Sequence, residues 1–182
     1  HWLNTHGHPN LRVSVNLSPM QFHTAKLDKI VSSALEKSKL NADNLELEIT
    51  ESVALSGKKQ TIETLNYLKE MGVHVAIDDF GTGYSSLSYL NKLPIDTLKI
   101  DQSFVHDLEK DKDHAEITSL ITILAHNLGL KVVAEGVESQ KHLDILSAQT
   151  CDEAQGFYLG RPMPWSVFQN YLHEQKLESS NG

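Results

Sequence analysis

The stretch "VHVAIDDFGTG", Val73 to Gly83, runs as an alternating apolar segment into two adjacent aspartates and a glycine turn. Successive side chains on a strand point to opposite faces, so Val73, Val75 and Ile77 face one way and His74, Ala76 and Asp78 the other. Asp79 lies where the strand is expected to break into Gly81-Thr82-Gly83. It is thereby released from strict alternation, and its carboxylate can converge with that of Asp78. Two like charges about 4 Å apart repel by about 4 kcal/mol at an effective dielectric of ~20. A pair placed like this calls for a counter-charge.

The same alternation recurs along the chain. Strands are expected near Leu11–Leu17, Leu45–Thr50, Val73–Asp78, Thr97–Asp101, Lys131–Val137 and Ala154–Leu159. Between them the period changes to that of helices, over Lys26–Leu40, Lys58–Met71 and His114–Leu128, with shorter helices around Ser85–Asn91, Gln140–Ala148 and Trp165–His173. Gly72 reads as a helix C-cap. Strand–helix alternation implies an α/β fold with a parallel sheet and right-handed crossovers. A complete eightfold barrel takes about 250 residues, so these 182 residues are expected to supply about six of the eight units of a TIM-like (β/α)8 barrel. The chain opens on His1-Trp2-Leu3 without an initiator methionine, and its first nine residues read as the end of a helix. The remaining units are therefore expected upstream. Residues 1–182 read as one domain, with a disordered tail at Glu178–Gly182.

Composition narrows the function. The net charge is −8, with no basic stripe interleaved with aromatics, which argues against gripping a nucleic-acid backbone. The single cysteine, Cys151, allows no intrachain disulfide and fits a reducing compartment. No apolar run reaches membrane-spanning length and no signal-peptide pattern opens the chain; it reads as a cytoplasmic domain, with membrane anchoring of the parent protein left open.

Applied to every strand, the two-residue period separates a helix-facing set (Val13, Val15, Leu17, Leu45, Leu47, Ile49, Leu98, Ile100) from an inward set. The inward residues nearest the C-terminal strand ends are Asn16, Glu48, Asp78, Lys99, Glu135 and Gln155. Catalytic residues of barrels come from the C-terminal ends of several strands, and six polar groups in phase are hard to ascribe to turn chemistry. Carboxylates with one amide and neither Cys nor His suit Mg²⁺ or Mn²⁺ better than zinc. A bridging carboxylate fits a two-metal site for phosphoryl chemistry.

The segments Val15-Asn16-Leu17-Ser18, Glu48-Ile49-Thr50-Glu51-Ser52, Asp78 to Leu87, Leu98-Lys99-Ile100-Asp101, Ala134-Glu135-Gly136-Val137-Glu138, and Ala154-Gln155-Gly156-Phe157 with Arg161-Pro162 stand in family order and spacing. In them the chain resembles the EAL-domain family of cyclic di-GMP phosphodiesterases. The resemblance covers nearly the whole chain and about three quarters of the family's domain. It implies that Asn16, Glu48 and Asp78 hold a first Mg²⁺ or Mn²⁺, and that Asp78 bridges to a second, which Asp79 also binds. Lys99 would hold or deprotonate the attacking water. Glu135 and Gln155 would contact the second metal's water network, and Asp101 is grouped with the substrate-binding residues. Glu51 would brace the Phe80–Ser86 loop, a lid and dimer-contact element. The implied reaction is hydrolysis of cyclic di-GMP to linear pGpG by a homodimer, downstream of sensory or GGDEF-type domains. The family's namesake glutamate and the arginine after it would lie upstream of His1.

Two other functions compete. A receptor could bind cyclic di-GMP without cleaving it. A Schiff-base lyase could use Lys99, although neighbouring carboxylates raise a lysine pKa that imine formation needs lowered. Among the remaining polar residues, His6-Gly7-His8 reads as a loop and His74 as a hydrogen-bonded core histidine. Glu46 is expected to pair with Arg12. Arg161 could touch phosphate or form an ion pair. Gly81-Thr82-Gly83 lacks the third glycine of a dinucleotide fingerprint.

Overall fold

A computed structural model describes residues 8, 11–24, 26–56, 59–83 and 87–179. Six parallel strands lie side by side in chain order: β1 (Val13–Asn16), β2 (Leu45–Thr50), β3 (His74–Phe80), β4 (Thr97–Ile100), β5 (Lys131–Ala134) and β6 (Glu153–Ala154). The helices are α1 (Pro19–Phe22), α2 (Leu27–Ser38), α3 (Glu51–Ala54), α4 (Lys59–Glu70), α5 (Leu87–Leu90), α6 (Gln102–His106), α7 (Lys112–Asn127), α8 (Gln140–Ala148) and α9 (Trp165–Ser179). The helix expected at the N-terminus, and residues 180–182 of the expected tail, lie outside the described residues. Among the described residues no helix is long and apolar enough to cross a membrane.

The core lies between sheet and helices. Leu47, Ile49, Val75, Ile77, Leu98, Ile100, Val132 and Ala134 bury their side chains against a cluster that includes Leu65, Leu68, Ile121, Ala125 and Leu146. Helix α4 ends as expected: Gly72 is left-handed (φ +82), and Val73 N donates to Leu68 O at 3.2 Å. One expectation fails at the edge. Val13 and Val15 should pack against helices, but they are 37% and 42% exposed. Among the described residues β1 pairs only with β2, which leaves its other flank open.

Four-residue α1 carries no period to read, yet it has a local signal. Ser18 Oγ accepts from Gln21 N at 3.3 Å, and Gln21 Oε1 accepts from Ser18 N at 3.0 Å, a capping box written as Ser-x-x-Gln. Three strands are clearly shorter than their apolar runs suggest: β1 covers only Val13–Asn16 of the expected Leu11–Leu17, and β5 and β6 stop early. β5 stops at Ala134, because Gly136 turns left-handed (φ +75). β6 ends at Ala154, because residues 156–160 close a turn in which Gly160 N donates to Gly156 O at 3.1 Å.

The end of the sheet away from the candidate site is tied by two aspartates placed alike. Asp96, just before β4, accepts from Val75 N of β3 at 2.8 Å and from Lys69 Nζ at the end of α4 at 2.6 Å. Asp152, just before β6, accepts from Val132 N of β5 at 2.8 Å and pairs with His126 of α7 at 2.9 Å. Each satisfies a strand N–H that the ladder leaves over. His74 is hydrogen-bonded as expected, but by Asp43 at 2.9 Å at this rim rather than in the core. Asp96→Ala is expected to cost about 1–3 kcal/mol, the usual range for orphaning a buried donor. The measurement is urea unfolding, with a lower midpoint at unchanged slope; an unmoved midpoint would make the tie dispensable.

Candidate active site

Strand β3 answers the question of the paired aspartates. Ile77 pairs with Leu98 and Phe80 with Ile100, so β3 spends three residues where β4 spends two. This is a β-bulge, and Asp79 sits in it with φ +56. The strand does not break at Asp79, as the glycines suggested, but continues to Phe80. The bulge therefore places two neighbouring carboxylates on the same side. Asp78, Asp79 and Glu135 each offer an oxygen within 4.8 Å of the others.

Lys99 is the counter-charge. Its Nζ lies 2.6 Å from Glu135 Oε1, 2.8 Å from Glu48 Oε2 and 3.1 Å from Asp78 Oδ1, and its side chain is 4% exposed. Four strand ends thus meet at one ammonium, all four from the expected inward set. Burial alone would lower the lysine pKa. Hydrogen bonds to Glu135 and Glu48, together with their charges, outweigh it and hold the ammonium well above the ordinary lysine range. Burial raises the Glu135 pKa despite the opposing pull of Lys99. Asp79 is also raised, first by burial, then by the charges of Asp78 and Asp101 and a hydrogen bond with Asp101.

Below this layer Glu46 is fully occupied. Arg12 Nη1 reaches it at 3.0 Å as expected, joined by Ser14 Oγ at 3.1 Å and Thr97 Oγ1 at 2.9 Å. Its carboxylate is thereby committed to structure rather than to the site above.

The other expected residues stand around the cluster. Glu51, buried at the start of α3, accepts from Gly81 N at 2.9 Å, and a Cβ on Gly83 would fall 2.8 Å from Glu51 Oε1. It therefore grips the turn after the aspartates; Tyr84, Ser85 and Ser86 of the expected lid lie outside the described residues. Asp101 caps α6, its Oδ1 accepting from Ser103 N at 3.0 Å and from the Ser103 hydroxyl. Asp101-x-Ser103 was a readable capping signal. Asn16 pairs in register with Glu48 but is exposed on the edge strand. Gln155 is exposed in the turn after β6 rather than in mid-strand, and its backbone binds Ala134 O and Val137 N. Nearby, the Arg161 guanidinium lies 4.6 Å over the Phe157 ring. His8 lies outside the cluster, and His6 and Gly7 lie outside the described residues.

The donor set fits a hard divalent cation. Among the described residues the three side chains that converge, Asp78, Asp79 and Glu135, offer oxygens only. Asp78 Oδ1 is buried without an aligned hydrogen bond, although Lys99 Nζ stands 3.1 Å away, so a lone pair remains for a metal.

Comparison with known proteins places the fold. MucR of Pseudomonas aeruginosa, a bifunctional diguanylate cyclase/cyclic di-GMP phosphodiesterase, is 47% identical over 163 residues, which are 90% of this chain and 24% of MucR. The solved PaMucR phosphodiesterase–c-di-GMP complex superposes with a TM-score of 0.88 at 46% identity, covering 92% of this chain and 67% of that one. Klebsiella pneumoniae BlrP1, solved with manganese and cyclic di-GMP, gives a TM-score of 0.76 at 31% identity, covering 83% and 39%. The chain spans about a quarter of MucR's length. The partial barrel is the same architecture as in these structures, and a model of the EAL domain matches residues 1–162, so the chain belongs to the EAL domain family.

Proposed function

We propose that this chain is the greater part of a phosphodiesterase domain that hydrolyses one phosphodiester of cyclic di-GMP to give linear pGpG. The carrying observation is the convergence of Asp78, Asp79 and Glu135 within 4.8 Å beside an ammonium that also touches Glu48. That is a negative cluster with both a cation-binding mouth and an internal donor. Asn16, Glu48, Asp78 and Asp79 would hold two Mg²⁺ or Mn²⁺ ions, with Asp78 shared. When bound, such ions neutralise phosphate charge and lower the pKa of water.

The protein's own groups divide the remaining work. Lys99, held as an ammonium, donates hydrogen bonds and does not take protons. Its surroundings favour holding the attacking water over deprotonating it, and they disfavour an imine-forming lysine. Glu135 converges with Asp78 and Asp79 at the mouth and would contact the second metal's water shell, while its other contact, to Lys99 Nζ at 2.6 Å, keeps it in place. Asp101 stands beside Asp79, where it would meet substrate, and Gln155, exposed after β6, would contact the water network. Glu51 keeps the Gly81–Gly83 turn in place. Homodimerisation, upstream sensory or GGDEF-type domains and a cytoplasmic setting are proposed from the family resemblance.

The test is product analysis. On a protein that includes the upstream units, cyclic di-GMP should be converted to pGpG with Mg²⁺ or Mn²⁺ and not in excess chelator. Full turnover in chelator would overturn the two-metal reading. Tight binding without turnover at saturating metal would favour the receptor.

A further inference from the structure

Asp79 owes its position to a backbone shape that an L-residue does not adopt freely. A left-handed conformation costs most non-glycine residues roughly 1 kcal/mol and aspartate less, but an unbulged β3 would turn Asp79 to the opposite face from Asp78. Something downstream must hold the bulge. Gly81, two residues on, is left-handed too (φ +101), and its N–H is fastened to Glu51. Its Cα is closed off by a second group. A Cβ built on Gly81 would lie 2.8 Å from Phe104 Cε2, 3.2 Å from Phe104 Cζ and 3.4 Å from Ile121 Cδ1. Phe104 lies in α6, the helix capped by Asp101, and its ring is backed edge-on by His114 of α7, with centroids 5.9 Å apart. The ring is thus wedged between α7 and the turn that carries the aspartates.

We propose that Phe104 is a positioning residue for Asp79. Its ring edge, with the Glu51 carboxylate, keeps Gly81 where the bulge needs it, and so keeps the Asp79 carboxylate beside Asp78 for a divalent cation. The inference rests on the reading of the acidic cluster as a cation site. Without the ring, a void opens at Gly81 and the turn can relax towards regular strand geometry. Asp79 then leaves the cluster, while Lys99 and its contacts to Glu48 and Glu135 on other strands stay.

The test is Mn²⁺ titration of the chain by calorimetry, with no nucleotide present, alongside thermal melting. Asp79→Asn is the reference for loss of the Asp79 contribution. Phe104→Ala is expected to weaken the Asp79-dependent Mn²⁺ binding about tenfold, within the span known for groups that orient metal ligands, while the melt stays cooperative. Phe104→Leu, which refills part of the space, should restore most of the affinity. If Phe104→Ala does not fold, Phe104→Leu alone decides, with an expected weakening of about threefold on the same scale. Mn²⁺ binding that responds to Asp79→Asn but not to either Phe104 variant overturns the inference and leaves the cation site standing. Mn²⁺ binding indifferent to Asp79→Asn overturns both.

Discussion

Lys99→Met is expected to lower cyclic di-GMP turnover by about 10²–10⁴-fold, the range seen when a positioned proton-handling or charge-stabilising group is removed, with little change in nucleotide affinity. Lys99 Nζ is enclosed by Glu135, Glu48 and Asp78 and its side chain is 4% exposed, too deep to serve as a contact for a guanine base. Stability should change as well. Removing one partner of a buried ion cluster costs about 3–5 kcal/mol, because the remaining charges lose their compensation. The sign with pH follows from the raised lysine pKa. The contribution of Lys99 is complete below the ordinary lysine value and is lost only as the pH rises through the folded one, so the deficit of the variant persists across neutral pH. Divalent cations should partly substitute for the missing charge. The melting temperature of Lys99→Met should therefore rise more with Mn²⁺ than that of the parent. Steady-state kinetics beside direct binding separates the roles. A fall in affinity parallel to the fall in turnover would make Lys99 a substrate contact.

How far the site could be read before the structure depended on where each residue sits relative to a strand. Glu48, Asp78 and Lys99 lie within strands, where the period of two is strict, and alternation alone assigns them to one face. Arg12 and Glu46 were paired by the same parity. Glu135 and Gln155 lie just past the ends of β5 and β6, where alternation no longer applies. Glu135 still reaches Lys99, whereas Gln155 stays in an exposed turn. Asp79 was read correctly as converging with Asp78, though by way of a strand end rather than a bulge. A bulge depends on the partner strand's register, which no single segment carries. The short helices α1, α3 and α6 escaped because four or five residues complete hardly more than one turn. Only caps, Ser18 with Gln21 for α1 and Asp101 with Ser103 for α6, could have announced two of them; α3 has no side-chain cap. Nothing in the sequence singles out Phe104, since its contact with Gly81 joins a helix to a turn distant in the chain.

Gly156→Ala is expected to be among the most damaging single-methyl changes in the chain. A Cβ on Gly156 would lie 2.1 Å from Val137 O and 2.2 Å from Val137 N. Both are backbone atoms, which cannot swing aside as a side chain would. The same peptide groups are already engaged: Val137 N donates to Gln155 O at 3.0 Å, and Tyr158 N donates to Val137 O at 3.0 Å. Making room for the methyl therefore means breaking the link between the turns that follow β5 and β6. Val137 is two residues from Glu135, so the disturbance should reach the carboxylate that contacts Lys99 at 2.6 Å. Overpacking costs about 1–3 kcal/mol where side chains can adjust; against fixed backbone the loss should reach or exceed about 4 kcal/mol, the exceptional end for point changes. Two other glycines separate this steric cause from glycine chemistry in general. Gly160→Ala meets nothing within 4 Å and should be nearly neutral, whereas Gly129→Ala also meets nothing but sits at φ +73 and should carry only the cost of backbone strain, about 1 kcal/mol. Chemical denaturation of the three variants should rank them Gly160, Gly129, Gly156 in rising loss. Mn²⁺ binding should fall only in the last. A Gly156→Ala protein as stable as the parent would mean that the two turns are not in the contact described and that Glu135 is held by β5 alone.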